Sequence, residues 1–301
     1  MATTSKSSTS KAEVAGVTLQ ETAMLVDLDI GTWEGHKKNK KVTEDVVHEA
    51  KAEKDAGSWW DHAVSRVTLR KMWAAVTLGR LVHDKFALPW EPKGGARLLP
   101  NEMFETYTKE MRAAQAQFQS AVDDIVEHRD DLVKEAKKRC GENYYDGLIP
   151  SPRELQSKFR WRVHIKPVTD TGDFRVKMSN ANRKMVLDSM SADETDQKGS
   201  LMTDLWQRLH ERVAKVAERL SDPENTFKDS LIENLIGLCD LLPKLNVLGD
   251  PKLEQMRQEV VTKLASQKPQ ELRDDEKTRQ QTHKDAEEIL KKMQGFFGAK
   301  V

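Results

Sequence analysis

The stretch Phe159-Arg160-Trp161-Arg162-Val163-His164-Ile165-Lys166 decides the fold. Apolar and basic residues alternate strictly along it, in a chain whose other apolar residues recur with helical spacing. A period of two puts Phe159, Trp161, Val163 and Ile165 on one face of a strand and Arg160, Arg162, His164 and Lys166 on the other. A mainly helical chain therefore carries a small sheet with one cationic face. Just downstream, Asp170-Thr171-Gly172-Asp173 supplies turn chemistry, and Phe174, Val176 and Met178 alternate with Arg175 and Lys177. That pattern predicts a hairpin partner over 174–178. Ala23 to Ile30 reads as a further strand, with Met24, Val26, Leu28 and Ile30 on one face and Leu25, Asp27 and Asp29 on the other.

Long helices flank these strands. Tyr107, Met111, Ala114, Phe118, Ala121, Ile125, His128 and Leu132 are spaced alternately four and three, a heptad seam that predicts one helix from Met103 to Arg139. His128 reads there as a polar interruption of the seam, and Gly141 stands where a C-terminal cap belongs. Met202, Trp206, Leu209, Val213, Val216 and Leu220 form a second heptad after a polar stretch near 191–200. The economical arrangement packs the two as a long antiparallel helical hairpin with the small antiparallel sheet at its base. Shorter helical patterns run over 43–54 and over 59–86, the latter with Gly79 as a weak point.

The C-terminal region reads as three further helices. Ser221-Asp222-Pro223 and Asp250-Pro251 are start signals. The first of these helices would bury Phe227, Leu231, Leu235, Leu238 and Leu242 and stop before Pro243; the second would bury Leu253, Met256, Val260 and Leu264. After Pro269 the last helix is nearly all polar until Ala286, Ile289, Leu290 and Met293, so it is expected to project into solvent or to find a partner at its apolar end, Phe296-Phe297. The expected division is a disordered tail over 1–18, a body over 19–220 and a helical region over 221–301.

The 301 residues balance 49 Lys and Arg against 49 Asp and Glu, which takes weight from bulk polyanion binding. A hydrophobic fraction of 38% against 33% charged suits helices with much surface per unit of core. Two cysteines, Cys140 and Cys239, cannot build a disulfide framework and point to a reducing compartment. No apolar run approaches the ~18 residues that span a bilayer. The Ser/Thr/Lys-rich start lacks the apolar core of a secretory signal. A cytoplasmic protein is expected.

Chemistry-bearing motifs are missing: the chain has no GxxxxGK[ST], GxGxxG after a strand, HExxH or GxSxG. None of its eight histidines has a second His or Cys at helical metal-ligand spacing. A non-enzyme with no cofactor, metal or catalytic residue is the expectation. What remains is cationic. Arg160, Arg162, His164 and Lys166, with Arg175 and Lys177 next door, could offer phosphates or an acidic partner a platform. Alternatively Asp27 and Asp29 lie across from them and neutralise that face. Lys37, Lys38, Lys40 and Lys41 make a short basic loop beside Trp33, where charge and stacking could hold a single nucleic-acid strand.

Ile30-Gly31-Thr32-Trp33-Glu34-Gly35-His36-Lys37-Lys38, Leu88-Pro89-Trp90, Gly95-Ala96-Arg97-Leu98-Leu99-Pro100 and the strand from Phe159 resemble an uncharacterised bacterial and phage protein family. Its members are often encoded beside MoxR-like or cobalt-chelatase-like AAA+ ATPases and von Willebrand-type proteins. The resemblance runs over most of the chain and implies a phage or bacterial intracellular protein with an AAA+ ATPase as a partner; it brings no active site. The expected function is a non-enzymatic interaction or assembly protein, working with such an ATPase or with copies of itself. A nucleic-acid-binding protein using the basic sheet face is the alternative.

Overall fold

The computed structural model describes residues 18–170, 172 and 174–297. The expected N-terminal tail falls, but for Thr18, outside the described residues, as do Thr171 and Asp173 of the expected turn and the side chains of Phe296 and Phe297. Eleven helices and six strands follow in chain order among the described residues: α1 (Leu19–Thr22), β1 (Ala23–Gly31), β2 (His36–Lys38), α2 (Lys40–Glu49), β3 (Trp60–His62), α3 (Arg70–Phe86), β4 (Leu88–Pro89), β5 (Arg97–Pro100), α4 (Phe104–Glu127), α5 (Arg129–Cys140), α6 (Pro152–Ser157), β6 (Arg160–Pro167), α7 (Asn180–Leu220), α8 (Ser230–Leu245), α9 (Pro251–Val260), α10 (Pro269–Asp274) and α11 (Glu276–Phe297). The fold is mainly α, with a small antiparallel sheet in the order β4-β5-β1-β6, a separate β2-β3 ribbon and a C-terminal helical region.

Two compact units are assembled from interleaved segments. The first takes Val26 and the residues before it, Ala87–Met103 and everything from Ile165; the second takes Asp27–Phe86 and Phe104–His164.

In the second unit α3 and α4 pack along their length. Lys85 meets Glu110 (3.2 Å) and Lys71 meets Asp124 (3.8 Å), so the two run antiparallel. The α4 seam finds its partner in α3 by burying Tyr107, Met111, Ala114, Phe118, Ala121 and Ile125. The Tyr107 hydroxyl, which burial pushes well above its ordinary pKa, is matched to His83 Nδ1 at 3.1 Å. The expected single helix to Arg139 is interrupted at His128. There the Asp124 carbonyl receives the His128 N–H (3.1 Å) and also faces its ring Nδ1 (2.9 Å). His128 is exposed, and α5 restarts at Arg129, whose guanidinium reaches the carbonyls of Ile149 and Pro150. The residue expected to interrupt the seam breaks the helix instead, and Leu132 is buried on the new one.

The region 59–69, expected to be helical, is not: Trp60–His62 is a strand and α3 begins only at Arg70. Gly79, buried in the middle of α3, is no weak point. A Cβ there would come within 2.3 Å of the Trp161 indole, which also packs at a tilt against Phe118 (centroids 5.2 Å apart). Glycine lets a strand side chain lie directly on a helix backbone.

β6 keeps the expected alternation through Val163, with Arg160 and Arg162 exposed and Trp161 and Val163 half-buried. It fails at Ile165, which is exposed. The neighbour of β6 is β1, not 174–178, where the chain has no regular structure and Val176 is exposed. Alternation alone gives no strand where no core lies beneath the apolar set.

In the first unit, Ala23–Val26 of β1 pairs with Arg97–Pro100, and Leu88–Pro89 covers β5 from the other side. Leu25 and Val26 are both buried, so this part of β1 lacks the two-faced pattern its sequence suggests. The second seam pairs with α11: His283 Nδ1 lies 3.0 Å from the Ala217 carbonyl, and buried Arg279 donates to the carbonyls of Arg219, Asp222 and Asn225, which makes the pair antiparallel. The last helix therefore packs rather than projects, burying Ala286, Ile289 and Met293. α7 begins at Asn180, capped by Ser179, so the polar stretch is helical too, yet every buried side chain of α7 lies at or beyond Leu201. α8 starts at Ser230, not after Ser221, and runs through Pro243. Proline leaves the carbonyl four residues back without its helical donor; that carbonyl, Cys239's, instead faces the Arg257 guanidinium at 3.5 Å. Asp250 caps α9 as expected.

Helix propensity alone says Gly79→Ala should stabilise by ~1 kcal/mol. The contact with Trp161 reverses the sign: overpacking of this kind costs ~1–3 kcal/mol. Thermal denaturation of Gly79→Ala should show a loss, and a gain would mean the indole does not rest on this backbone.

Candidate functional site

The cationic face predicted on β6 is real but partly spoken for. Asp29 on β1 holds Arg160 through two oxygens, from Nε to Oδ2 at 2.5 Å and from NH2 to Oδ1 at 2.7 Å. The Arg160 hydrogen bond, then the nearby charges of Arg160, His164 and Arg162, keep the Asp29 carboxyl below its ordinary range against the opposing effect of burial. Arg162, His164 and Lys166 are exposed, and among the described residues none has an ion-pair partner. Nor does Asp27. Cis neutralisation is thus one bidentate pair. Arg175 and Lys177 are exposed on the irregular segment and belong to no strand.

Lys37, Lys38, Lys40 and Lys41 do not form a loop. The first two lie on β2 and the others open α2, all exposed. Trp33 is buried at 7% exposure and offers no face to a ligand. The aromatics beside these lysines are Trp59 and Trp60, 47% and 45% exposed, which the sequence reading placed in a helix. β2 and β3 pair as His36↔His62, Lys37↔Asp61 and Lys38↔Trp60, so lysine and tryptophan stand opposite one another. Gly35, at φ +68°, starts the ribbon; a side chain there would run into Val64.

One buried carboxylate fixes this surface. Asp61 accepts Trp59 Nε1–H at 3.0 Å on one oxygen and the Asn39 side-chain amide at 2.8 Å on the other. Asn39 in turn caps α2 by accepting the Val42 N–H, and the Trp59 N–H donates to Thr43 Oγ1 at 2.9 Å. The exposed Trp59 indole is thereby held in place before any partner arrives. His36 packs edge-on against Trp60 (4.9 Å) and beside His62 (5.2 Å), and its Nε2 lies 3.1 Å from Glu34. Lys37 sits over the Tyr145 ring at 5.2 Å, and Arg139 Nε donates to the His62 carbonyl. The groove beside Trp60 mixes signs, with Glu34, Glu154, Lys37 and Lys158 around an apolar floor that includes Leu148 and Pro150.

Neither thiol is set up as a nucleophile. Burial, then the Asp61 charge, raises Cys140, and burial pushes Cys239 up to about 11. No group of three metal-ligating side chains occurs among the described residues, and no described helix is long and apolar enough to cross a membrane. The alternation of Trp59 and Asp61 with Trp60 and His62, just after Gly57-Ser58, is the signal by which the ribbon could have been found. No family model, curated protein or solved structure matches the chain.

The depressed Asp29 pKa carries a sign. A carboxyl whose folded pKa lies below its unfolded value stabilises above the unfolded pKa, near 4, and loses that contribution as pH falls through the folded value. Asp29→Asn should therefore melt below the parent at pH 7 and approach it as the pH drops below 4. Combining Asp29→Asn with Arg160→Gln should be less damaging than the sum of the two; strict additivity would rule the pair out.

Proposed function

We propose that this chain is a non-enzymatic interaction protein that docks a protein partner on the β2-β3 ribbon. The observation that carries the reading is the pair of exposed tryptophans, Trp59 held by its hydrogen bond to buried Asp61 and Trp60 packed edge-on against His36, with Arg139 and Lys37 lining the grooves beside them and Lys37 over the Tyr145 ring. Tryptophan, tyrosine and arginine are the side chains that dominate protein interfaces, and fixing them in advance reduces the ordering entropy of binding. The mixed charge of the adjoining groove suits a polypeptide better than a polyanion. An AAA+ ATPase of the MoxR type, which the sequence resemblance implies, is the first partner to try.

The facing of Lys38 and Trp60 favours a second reading, a single nucleic-acid strand held by charge and stacking. Size-exclusion chromatography with light scattering separates the two when the chain is run alone, with a MoxR-like AAA+ ATPase and with short DNA or RNA. Co-elution with the ATPase is expected, and Trp60→Ala, which leaves the Asp61 hydrogen bonds intact, should abolish it while the melting temperature stays within a few degrees, as for surface substitutions generally. Retention of oligonucleotide in a way that falls steeply with salt, with no ATPase complex, would favour the second reading and defeat the first.

A further inference from the structure

Some of the cations of the first unit are answered by a carboxylate in place. On α7, Arg208 pairs with Asp204; Arg257 pairs with Glu254, and Arg273 with Asp229. Four others in that unit are not, and they are gathered in one place. Arg212, Lys215 and Arg219 on the last turns of α7, with Lys228 in the loop before α8, line one cavity of about 390 Å³. Among the described residues no carboxylate lies within ion-pairing distance of any of the four. No acidic residue lines the cavity either. Of the nearby acids, Glu211 accepts the Gln207 side-chain amide, Asp222 accepts the Glu224 N–H and Asp229 is taken by Arg273, while Glu218 on α7 and Glu233 in the first turn of α8 do not line the cavity.

The spacing is regular. At 1.5 Å rise per residue, Arg212, Lys215 and Arg219 stand about 4.5 and 6 Å apart along the axis, within one stripe of the helix. Like charges at this spacing repel one another, and a bound anion removes the repulsion. Thr226 and Ser230 add hydroxyls at the same cavity, and Ser230 begins the sixteen-residue α8, whose N-terminal end attracts negative charge. Phe227 also lines it, but the guanidiniums of Arg273 and Arg279 lie over its ring at 5.0 and 5.6 Å. That ring is engaged by cations, so it adds positive charge nearby and offers no stacking face to a base.

We infer that this cavity binds a ligand carrying a chain of phosphoryl groups, recognised through its phosphates. A row of cations matches several linked phosphates better than one. The chain could come from free polyphosphate or from a nucleoside polyphosphate, and the cavity volume falls in the range of small-ligand sites.

Calorimetric titration of the full chain in magnesium-free, low-salt buffer tests this with four probes: orthophosphate, tripolyphosphate, a nucleoside triphosphate and a single-stranded oligonucleotide. Tripolyphosphate and the nucleoside triphosphate should bind with affinities within a few-fold of each other, and both at least about tenfold tighter than orthophosphate. Arg212→Gln/Arg219→Gln, exposed changes that keep helix propensity, should weaken both by about tenfold or more at unchanged melting temperature. Lys215→Gln/Lys228→Gln should do the same, whereas Arg66→Gln in the second unit should leave both unaltered. Binding of the nucleoside triphosphate without tripolyphosphate, binding of the oligonucleotide alone, no phosphate binding, or indifference to both double variants would each overturn the assignment. The ribbon reading does not depend on any of these outcomes.

Discussion

The second unit depends on one close approach, the Trp161 indole lying on the backbone of α3 at Gly79. That contact joins the inner face of β6 to both helices of the α3-α4 hairpin, because the same ring meets Phe118 of α4. Once Trp161 points inward, the period of the strand turns Arg160, Arg162 and His164 outward. It also sets the position from which Arg160 reaches Asp29. The contact has a cost: Trp161 Nε1 is buried with no hydrogen-bond partner among the described residues, a group whose desolvation opposes folding by ~1–3 kcal/mol. The dispersion and apolar burial of an indole against a bare helix backbone more than offset that.

The ribbon follows a different logic. Its two indoles are exposed: Trp60 rests edge-on against the His36 ring, and a buried carboxylate positions Trp59. Asp61 is shared between Trp59 and the capping residue of α2, so the orientation of a surface aromatic is tied to the start of a helix. Buried polar groups satisfied on both sides specify geometry in a way that apolar contacts, being non-directional, do not.

These two mechanisms explain what could be read in the sequence. The first seam as far as Ile125, the second seam, the Gly141 and Asp250 ends and the inward half of β6 follow periods and caps that are local properties, and they stand in the structure. Partner choice is not local. The α4 seam meets α3 and the α7 seam meets α11, and nothing in a heptad names the helix that will fill it. The 174–178 alternation has the right letters but no surface to cover, and Trp60–His62 has helical neighbours but pairs as a strand with β2, tied to the start of α2 by Asn39, Thr43 and Asp61. The cationic row on α7 lies beside the seam of Leu209, Val213, Val216 and Leu220, about a quarter-turn round the helix, where charged residues are the ordinary solvated flank of a buried stripe.

The two halves of α7 are stabilised by different means. Downstream of Leu201 the helix is fixed by side chains in a core; upstream it has none, only its Ser179 cap and local pairs such as Lys198 with Glu194. Helix formation is limited by nucleation, whereas extending an existing helix adds one hydrogen bond per residue fixed. The buried half supplies the nucleus, and the polar half is its propagation. Order in the segment 180–200 should therefore fade progressively toward Asn180 instead of being lost in one step, which gives this end of the helix a graded opening equilibrium separate from the cooperative unfolding of the core.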